Sequence, residues 1–364
     1  MHDQIRDMGR HIIENEEGRT RIWSATTDED FPQDERILSK LHGLSIANCD
    51  IFMRRTNSWS SIQQLKILLV QRNNFSLQGR CRDQPLRQSK IQRLWETWSE
   101  RLHESTNVQW NELRWLEWPR APFKKFHQFS NLRILDFRYS EFRGLIEEGL
   151  VAPKLQRLNL EGCRYLEGLP RIGTSMPSLE WLNLKDCSSF KGFDGSILML
   201  KDLRFLDLSY CVHIENLPGE IEELSSLQEL NLEACVSLKM LDFLPKSLLK
   251  VNLSMCPKIR TLDANMEVLK DLRVLDISKC HRLRSLPKGI ENLSSLQELN
   301  AEECECLEII ESLPQHLSKL NLRGCRQLKW LGASISMLTE LTLLDVSECP
   351  HLNPLPVETT SIEF

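Results

Sequence analysis

Cysteine and histidine are the side chains here that could hold a metal, cross-link the chain or attack a substrate, and the 364 residues contain 12 cysteines and 9 histidines. Nine of the cysteines are regularly placed: Cys163, Cys187, Cys211, Cys235, Cys256, Cys280, Cys304, Cys325 and Cys349 are separated by 24, 24, 24, 21, 24, 24, 21 and 24 residues. Zinc sites draw on clustered spacings such as C-x-x-C. The chain has none, and Cys304-Glu305-Cys306 comes nearest. In Cys211/His213, Cys280/His281 and Cys349/His351 the histidine would point outward while the cysteine points in, so no metal is expected. Disulfides between successive cysteines are within reach if they sit on strands ~4.8 Å apart. Parallel Cβ vectors and a reducing compartment argue against them. No G-x-S-x-G, H-E-x-x-H or G-x-x-x-x-G-K-[ST] string occurs, and the histidines are scattered, so the chain reads as a non-enzyme. What remains for the thiols is architectural: a small buried group that fills a corner and offers a weak S–H donor to loop carbonyls.

The residues that must position them follow one template. Leu155, Leu158, Leu160, Cys163 and Leu166 are repeated as Leu179, Leu182, Leu184, Cys187 and Phe190, and so on to Leu341, Leu344, Val346, Cys349 and Leu352. This is L-x-x-L-x-L-x-x-C-x-x-L, a leucine-rich repeat with cysteine in a slot often held by asparagine. Period two in L-x-L makes a short strand whose leucines point inward. The expected fold is therefore α/β: a curved solenoid with a parallel sheet on its concave face and short helical or 3-10 segments on its convex face. The middle strand residues, from Asn159 and Asn183 to Asp345, should form a polar row on the concave face. Ala301 replaces a strand leucine and should leave a small packing defect. Two recipes join the strands. LPGEIEELSSLQEL at Leu217 and LPKGIENLSSLQEL at Leu286 turn Ile221 and Leu224, or Ile290 and Leu293, inward. The shorter LPKSLLKVNL and LPQHLSKLNL account for the two 21-residue intervals.

Before residue 155 the pattern weakens. Leu132 to Phe137 fit with Ser140 in the cysteine slot, Leu113 to Trp118 fit the first half, and Leu65, Leu68, Val70 and Asn73 fit once more. Trp95, Trp98, Trp110, Trp115 and Trp118 cluster there, as expected of a capping turn.

Charge and hydropathy exclude several classes. The net charge is −5; beyond residue 125, 26 Lys/Arg stand against 34 Asp/Glu, which gives no electrostatic reason to bind nucleic acid. No apolar run approaches the ~20 residues of a membrane span, and the charged amino terminus does not resemble a secretory signal, so the cytoplasm or nucleus is expected.

The string MHDQIRDMGRHIIENEEGRTRIW places Ile5, Met8, Ile12 and Ile13 on one helical face. Met1-His2-Asp3, followed by Arg6-Asp7-Met8-Gly9-Arg10 and Arg19-Thr20-Arg21-Ile22-Trp23, resembles the end of the nucleotide-binding module of plant intracellular nucleotide-binding leucine-rich repeat immune receptors. The similarity is to the subclass with a Toll/interleukin-1 receptor domain. LRWLEWPRAPFKKF at Leu113 resembles the start of that subclass's repeats. In that family the M-H-D histidine lies against the phosphates of ADP and helps hold the receptor off, a role that would carry onto His2 and Asp3. Without a phosphate loop no cofactor is expected, and ADP or ATP would bind only if the chain were joined to a complete nucleotide-binding domain.

The resemblance implies this organisation: residues 1–30, a helical remnant of the nucleotide-binding module; 31–110, degenerate repeats and cap; 111–356, leucine-rich repeats, regular from 155; and 357–364, a tail. It implies a receptor fragment or a truncated gene model. The expected function is protein recognition in plant disease resistance, with a pathogen effector, a guarded host protein or the receptor's own nucleotide-binding domain as partner. Nucleic acid and a membrane span are not expected. The alternatives are part of an ADP/ATP switch that acts only with a separate nucleotide-binding domain, or an unrelated repeat adaptor. The outward residues expected to meet a partner are Arg157, Trp181, Phe205, Tyr210, Glu229, Lys250 and Lys319, with the nine cysteines as a structural ladder behind them.

Overall fold

A strand of three residues cannot stand alone, because its L-x-L leucines need a second surface to bury them. Here each rung supplies that surface to the next. The computed structural model describes residues 22–25, 36, 41–46, 65–70, 112–121, 128–144, 149–262 and 266–353. His2 and Asp3, the tryptophans at 95, 98 and 110, and the tail at 357–364 lie outside the described residues. The chain divides into two units, 1–159 and 160–364.

In the first unit β1 (Ile22–Ala25), β2 (Gly43–Ile46), β3 (Ile67–Val70), β4 (Trp115–Glu117), β5 (Ile134–Asp136) and β6 (Arg157–Asn159) pair in chain order, all parallel. Leu44, Leu68, Leu116, Leu135 and Leu158 stand in one register and are buried. Two differences from the sequence expectation appear. Residues 22–25 belong to a strand rather than to a helical remnant, because Ala25 lines up with the buried Ile46 in the ladder. β2 adds a rung that the sequence reading leaves out, although Leu41, Leu44 and Ile46 keep the template spacing and are buried. Ser140 occupies the cysteine slot of its rung, and its Oγ accepts the Ala121 N–H at 2.9 Å.

The second unit contains β7 (Trp181–Asn183), β8 (Phe205–Asp207), β9 (Glu229–Asn231), β10 (Lys250–Asn252), β11 (Val274–Asp276), β12 (Glu298–Asn300), β14 (Lys319–Asn321) and β16 (Leu343–Asp345), parallel and in that order. The short β13 (Ile309–Ile310) and β15 (Trp330–Leu331) make a separate parallel pair. Leu182, Leu206, Leu230, Val251, Leu275, Leu299, Leu320 and Leu344 form the central inward column, each buried. Burying one such side chain stabilises by about 1.5–3 kcal/mol relative to leaving it in water. Ala301 is buried too, and it leaves the ladder unbroken: its N–H donates to Asn321 O at 2.8 Å, and its carbonyl accepts from Cys304 N and Cys325 Sγ, each at 3.2 Å.

The connections opposite the strands follow the two recipes. The longer ones hold 3-10 turns at Gly219–Glu223 and Ile290–Asn292, whose Ile221 and Ile290 are buried. Similar turns occur at Gly195–Met199, Met266–Val268 and Ala333–Met337, and α1 is the single helical turn Ile172–Ser175. The two shorter connections have no 3-10 turn. In the first of them Ser247 Oγ instead donates to Leu227 O at 2.8 Å.

Candidate interaction surface

The geometry of a surface built on this sheet is set by where each strand stops. In the second unit the middle strand residue turns its side-chain oxygen back onto the backbone N–H two residues on: Asn183 accepts from Lys185 at 2.9 Å, Asp207 from Ser209 at 2.8 Å and Asn252 from Ser254 at 2.9 Å. Asn231, Asp276, Asn300, Asn321 and Asp345 do the same. Such local bonds compete with a continuing ladder and favour a turn. The polar row is thus already engaged in ending its strands.

Three residues beyond, the backbone passes through the left-handed region immediately before every ladder cysteine: at Gly162, Asp186, Tyr210, Ala234, Met255, Lys279, Glu303, Gly324 and Glu348. Their N–H groups keep the rungs in step, as in Asp186 N to Ser209 O at 2.8 Å and Tyr210 N to Glu233 O at 2.7 Å. The chain then delivers each cysteine inward. Cys187 Sγ donates to Leu160 O, Cys211 to Leu184 O and Cys235 to Leu208 O, each at 3.2 Å, and the contact recurs from Cys256 to Cys349 at 3.1–3.2 Å. Each accepting carbonyl belongs to the preceding rung. Leu184 O, for example, also receives the N–H of its own rung's Cys187.

All ten described cysteines are free thiols, and Cys306 and Cys349 alone among them are partly exposed. Burial pushes the ladder thiols from Cys187 to Cys349 up, Cys235, Cys280 and Cys325 to about 12. Because the thiolate is the nucleophile, a nitrobenzoate disulfide reagent at pH 8 is expected to modify Cys306 and Cys349 but none of the eight buried thiols until the protein is unfolded. Mass spectrometry showing Cys235 modified while circular dichroism is intact would contradict this. No group of three or more His, Cys, Asp or Glu able to hold a metal occurs among the described residues.

The residues expected at an interface divide between the units. In the first, the outward column of the strands is buried rather than open. Ile67, Trp115 and Ile134 cluster there with Leu69 against them, and beside them Arg138 Nε binds Asp136 Oδ1 at 2.9 Å and its Nη2 approaches Glu117 at 3.5 Å. Burial pushes the Asp136 carboxyl up, with Arg138 opposing the shift. Arg157 ends this column, half-buried.

In the second unit the corresponding column is open. Trp181 and Phe205 face one another across β7 and β8 with ring centroids 5.3 Å apart and planes within 9° of parallel. Each is half-buried, so the rings pack on one another and present one shared apolar face. Tyr210 does not extend that column. It occupies the left-handed corner after β8, 37% exposed, where its hydroxyl donates to Glu233 Oε1 at 2.9 Å and Lys185 Nζ lies 5.6 Å from its ring centroid. Glu233 raises the Tyr210 pKa. Ser209, between Lys185 and Glu233 in its column, is fully buried, and its Oγ has no hydrogen-bond partner among the described residues. Further along, Glu229 and Lys250 are exposed neighbours in register, and Lys319 is held by Glu298 at 2.6 Å.

No protein-family model and no curated protein matches the chain. Solved structures do. A leucine-rich repeat protein of Leptospira interrogans is 20% identical over 88% of this chain and 93% of its own, at a TM-score of 0.38. The leucine-rich repeat domain of the type III effector XopL is 26% identical over 57% of this chain and 66% of its own, at 0.37. The Toll and Spatzle complex of Drosophila is 15% identical over 90% of this chain and 41% of its own, at 0.46. The fold itself rests on the rungs. The chain is a leucine-rich repeat solenoid of parallel strands with little helix. No helix among the described residues is long and apolar enough to cross a membrane.

Proposed function

We propose that the chain is a protein-recognition module, and that the strand face of its second unit carries the contact. The observation behind this reading is the stacked Trp181 and Phe205 pair, half-exposed on a sheet face, with Lys185, Tyr210 and Glu233 in contact with one another past the strand ends of the same rungs and the next. A rigid aromatic pair loses little conformational entropy on binding, and binding hot spots favour Trp and Tyr ringed by polar residues. Glu229 and Lys250 on the next rungs supply charges of both signs, which suits a folded protein surface better than a polyanion.

The resemblance carried by Met1-His2-Asp3 and the residues after it would make this module part of a plant immune receptor, acting in the cytoplasm or nucleus. Its partner would be a pathogen effector, a guarded host protein or the receptor's own nucleotide-binding domain. His2 and Asp3 would then report ADP or ATP only within a complete nucleotide-binding module.

The test is capture of partners from plant leaf extract by the full chain and by a W181A/F205A variant, with far-UV circular dichroism as the folding control. Removing two hot-spot aromatics is expected to weaken the specific interaction at least about thirtyfold, as a loss of 2 kcal/mol or more implies. An unchanged set of captured proteins at unchanged affinity would count against this face. Binding to a separately supplied nucleotide-binding domain, lost in the same variant, would select the autoinhibitory partner.

A further inference from the structure

Along the segment that follows each ladder cysteine, the second unit carries a second charge ladder. Four residues past the cysteine stand Glu167, Lys191, Glu215, Lys239, Arg260, Arg284, Glu308 and Lys329. Three pairs of opposite-sign neighbours are bridged: Lys191 with Glu167 at 2.9 Å, Lys239 with Glu215 at 2.6 Å and Lys329 with Glu308 at 3.0 Å. The middle differs, with like signs on successive rungs. Arg260 and Arg284 are adjacent in the ladder, Arg284 N meeting Arg260 O at 3.4 Å. Two residues before each stand Lys258 and Arg282. Each pair flanks a buried residue, Ile259 or Leu283, and all four cations are exposed. Lys258 Nζ donates to Ser237 Oγ at 3.5 Å and, second to Lys239, its charge helps lower the Glu215 pKa, but none of the four is within ion-pair distance of a carboxylate among the described residues. From one to five residues past Cys235, Cys256 and Cys280 there are five Lys or Arg and no Asp or Glu. The flanking Glu305 and Glu308 are turned to Arg326 and Lys329 instead.

Like charges on adjacent rungs repel and destabilise the ladder. A fold that pairs opposite charges on either side of this point leaves four cations facing solvent together. Exposed apolar side chains lie one column over at both ends: Met240 on the first rung, Ile309 and Trp330, aligned in β13 and β15, beyond the last. We propose that this array docks a short acidic segment of a partner protein, its carboxylates on Arg260, Arg284, Lys258 and Arg282 and an adjoining apolar residue against Ile309 and Trp330. Guanidinium groups bind carboxylates in bidentate fashion, so the two arginines carry the specificity. From Arg260 to Trp330 the array crosses three rung intervals, about 14 Å, room for about five extended residues. A longer polyanion such as nucleic acid would run onto the acidic remainder of the unit, which favours the peptide. This site is separate from the Trp181 and Phe205 face and stands or falls without it.

The test is fluorescence anisotropy of a labelled eight-residue peptide with four Glu, one Leu and Gly or Ser elsewhere, against the full chain in low salt. A thymidine oligonucleotide of matched charge and a Lys-for-Glu peptide are the comparators. The peptide is expected to bind, to lose at least tenfold in affinity on R260E/R284E, and to keep its affinity on K201E, a charge reversal elsewhere on the unit. If the reversal perturbs folding, R260A/R284A with unchanged circular dichroism should still lose severalfold. Equal affinity for the native chain and these variants, or tighter binding of the oligonucleotide than of the peptide, would overturn the proposal.

Discussion

Raising the pH from 7 to 10 in the presence of reductant is expected to withdraw roughly 10 kcal/mol of stability from this protein, enough to unfold it. The cause is the row of buried thiols. Cys187, Cys211, Cys235, Cys256, Cys280, Cys304 and Cys325 all have pKa values raised from the ordinary 9.0, with burial the largest cause in each. For several of them the next thiol in the row adds to the effect, since two thiolates on adjacent rungs would repel; Cys163 and Cys211 do this to Cys187. A group whose folded pKa lies above its unfolded value contributes fully below the unfolded pKa and loses that contribution as pH rises toward the folded one. The window therefore opens near pH 9, where unfolded thiols begin to ionise, and runs to about 12 for Cys235, Cys280 and Cys325. At pH 10 each buried thiol has withdrawn on the order of 1 kcal/mol, and seven together approach the whole stability of an ordinary domain, about 5–15 kcal/mol. Far-UV circular dichroism against pH should show a cooperative transition between about pH 9.5 and 10.5. Replacing Cys235, Cys280 and Cys325 together by alanine should flatten the fall in urea-unfolding free energy above pH 9 by the share of those three thiols. A chain still folded at pH 12, or a triple variant with the parent's slope, would show that the thiols do not carry the effect.

The ladder could be read from sequence because each of its leucines must be buried, and burial fixes both their type and their spacing. The 3-10 turns were legible for the same reason, through Ile221 and Ile290. The corner before the cysteine was not. It needs a left-handed backbone, yet only Gly162 and Gly324 advertise it, while Tyr210, Met255 and Glu303 adopt it with their N–H groups held by a carbonyl of the following rung. The polar row misleads in the opposite direction. Asn183 or Asp276 looks free for a partner in the sequence, but its side-chain oxygen is bonded two residues along its own chain. Nor did alternation alone show which outward column is open. Ile67, Trp115 and Ile134 hold outward strand positions in the first unit and are buried, whereas Trp181 and Phe205 hold the same position in the second and are half-exposed. The basic array escaped notice because a sum over the acidic remainder hides four cations that only the 24-residue spacing brings together.

Adding a single methyl group at Gly173 or Gly332 is expected to destabilise the solenoid by about 3 kcal/mol or more, the upper end of overpacking effects. The usual expectation has the other sign. Gly173 lies in the helical turn α1, and replacing an unstrained helical glycine with alanine stabilises by roughly 0.5–1 kcal/mol, because the unfolded chain has less freedom to lose. Here the close approach of the rungs overrides that gain. A Cβ on Gly173 would lie 1.9 Å from Ser196 O and 2.8 Å from Met199 Cβ, and one on Gly332 would lie 2.1 Å from Glu311 O and 2.9 Å from its carbonyl carbon. The nearest obstructing atoms, Ser196 O and Glu311 O, are backbone of the adjacent rung and cannot rotate away. Relief would require the rungs to part, and parting them exposes the leucine column that holds them together. Gly219 is the control: its Cβ would meet only Phe243 ring atoms, at 3.7 and 3.8 Å, and G219A should be neutral or stabilising by up to about 1 kcal/mol. Urea unfolding of G173A, G332A and G219A therefore compares one chemical change with opposite expected signs. Equal small effects at all three positions would mean that the rungs are not packed as closely as the carbonyl contacts require.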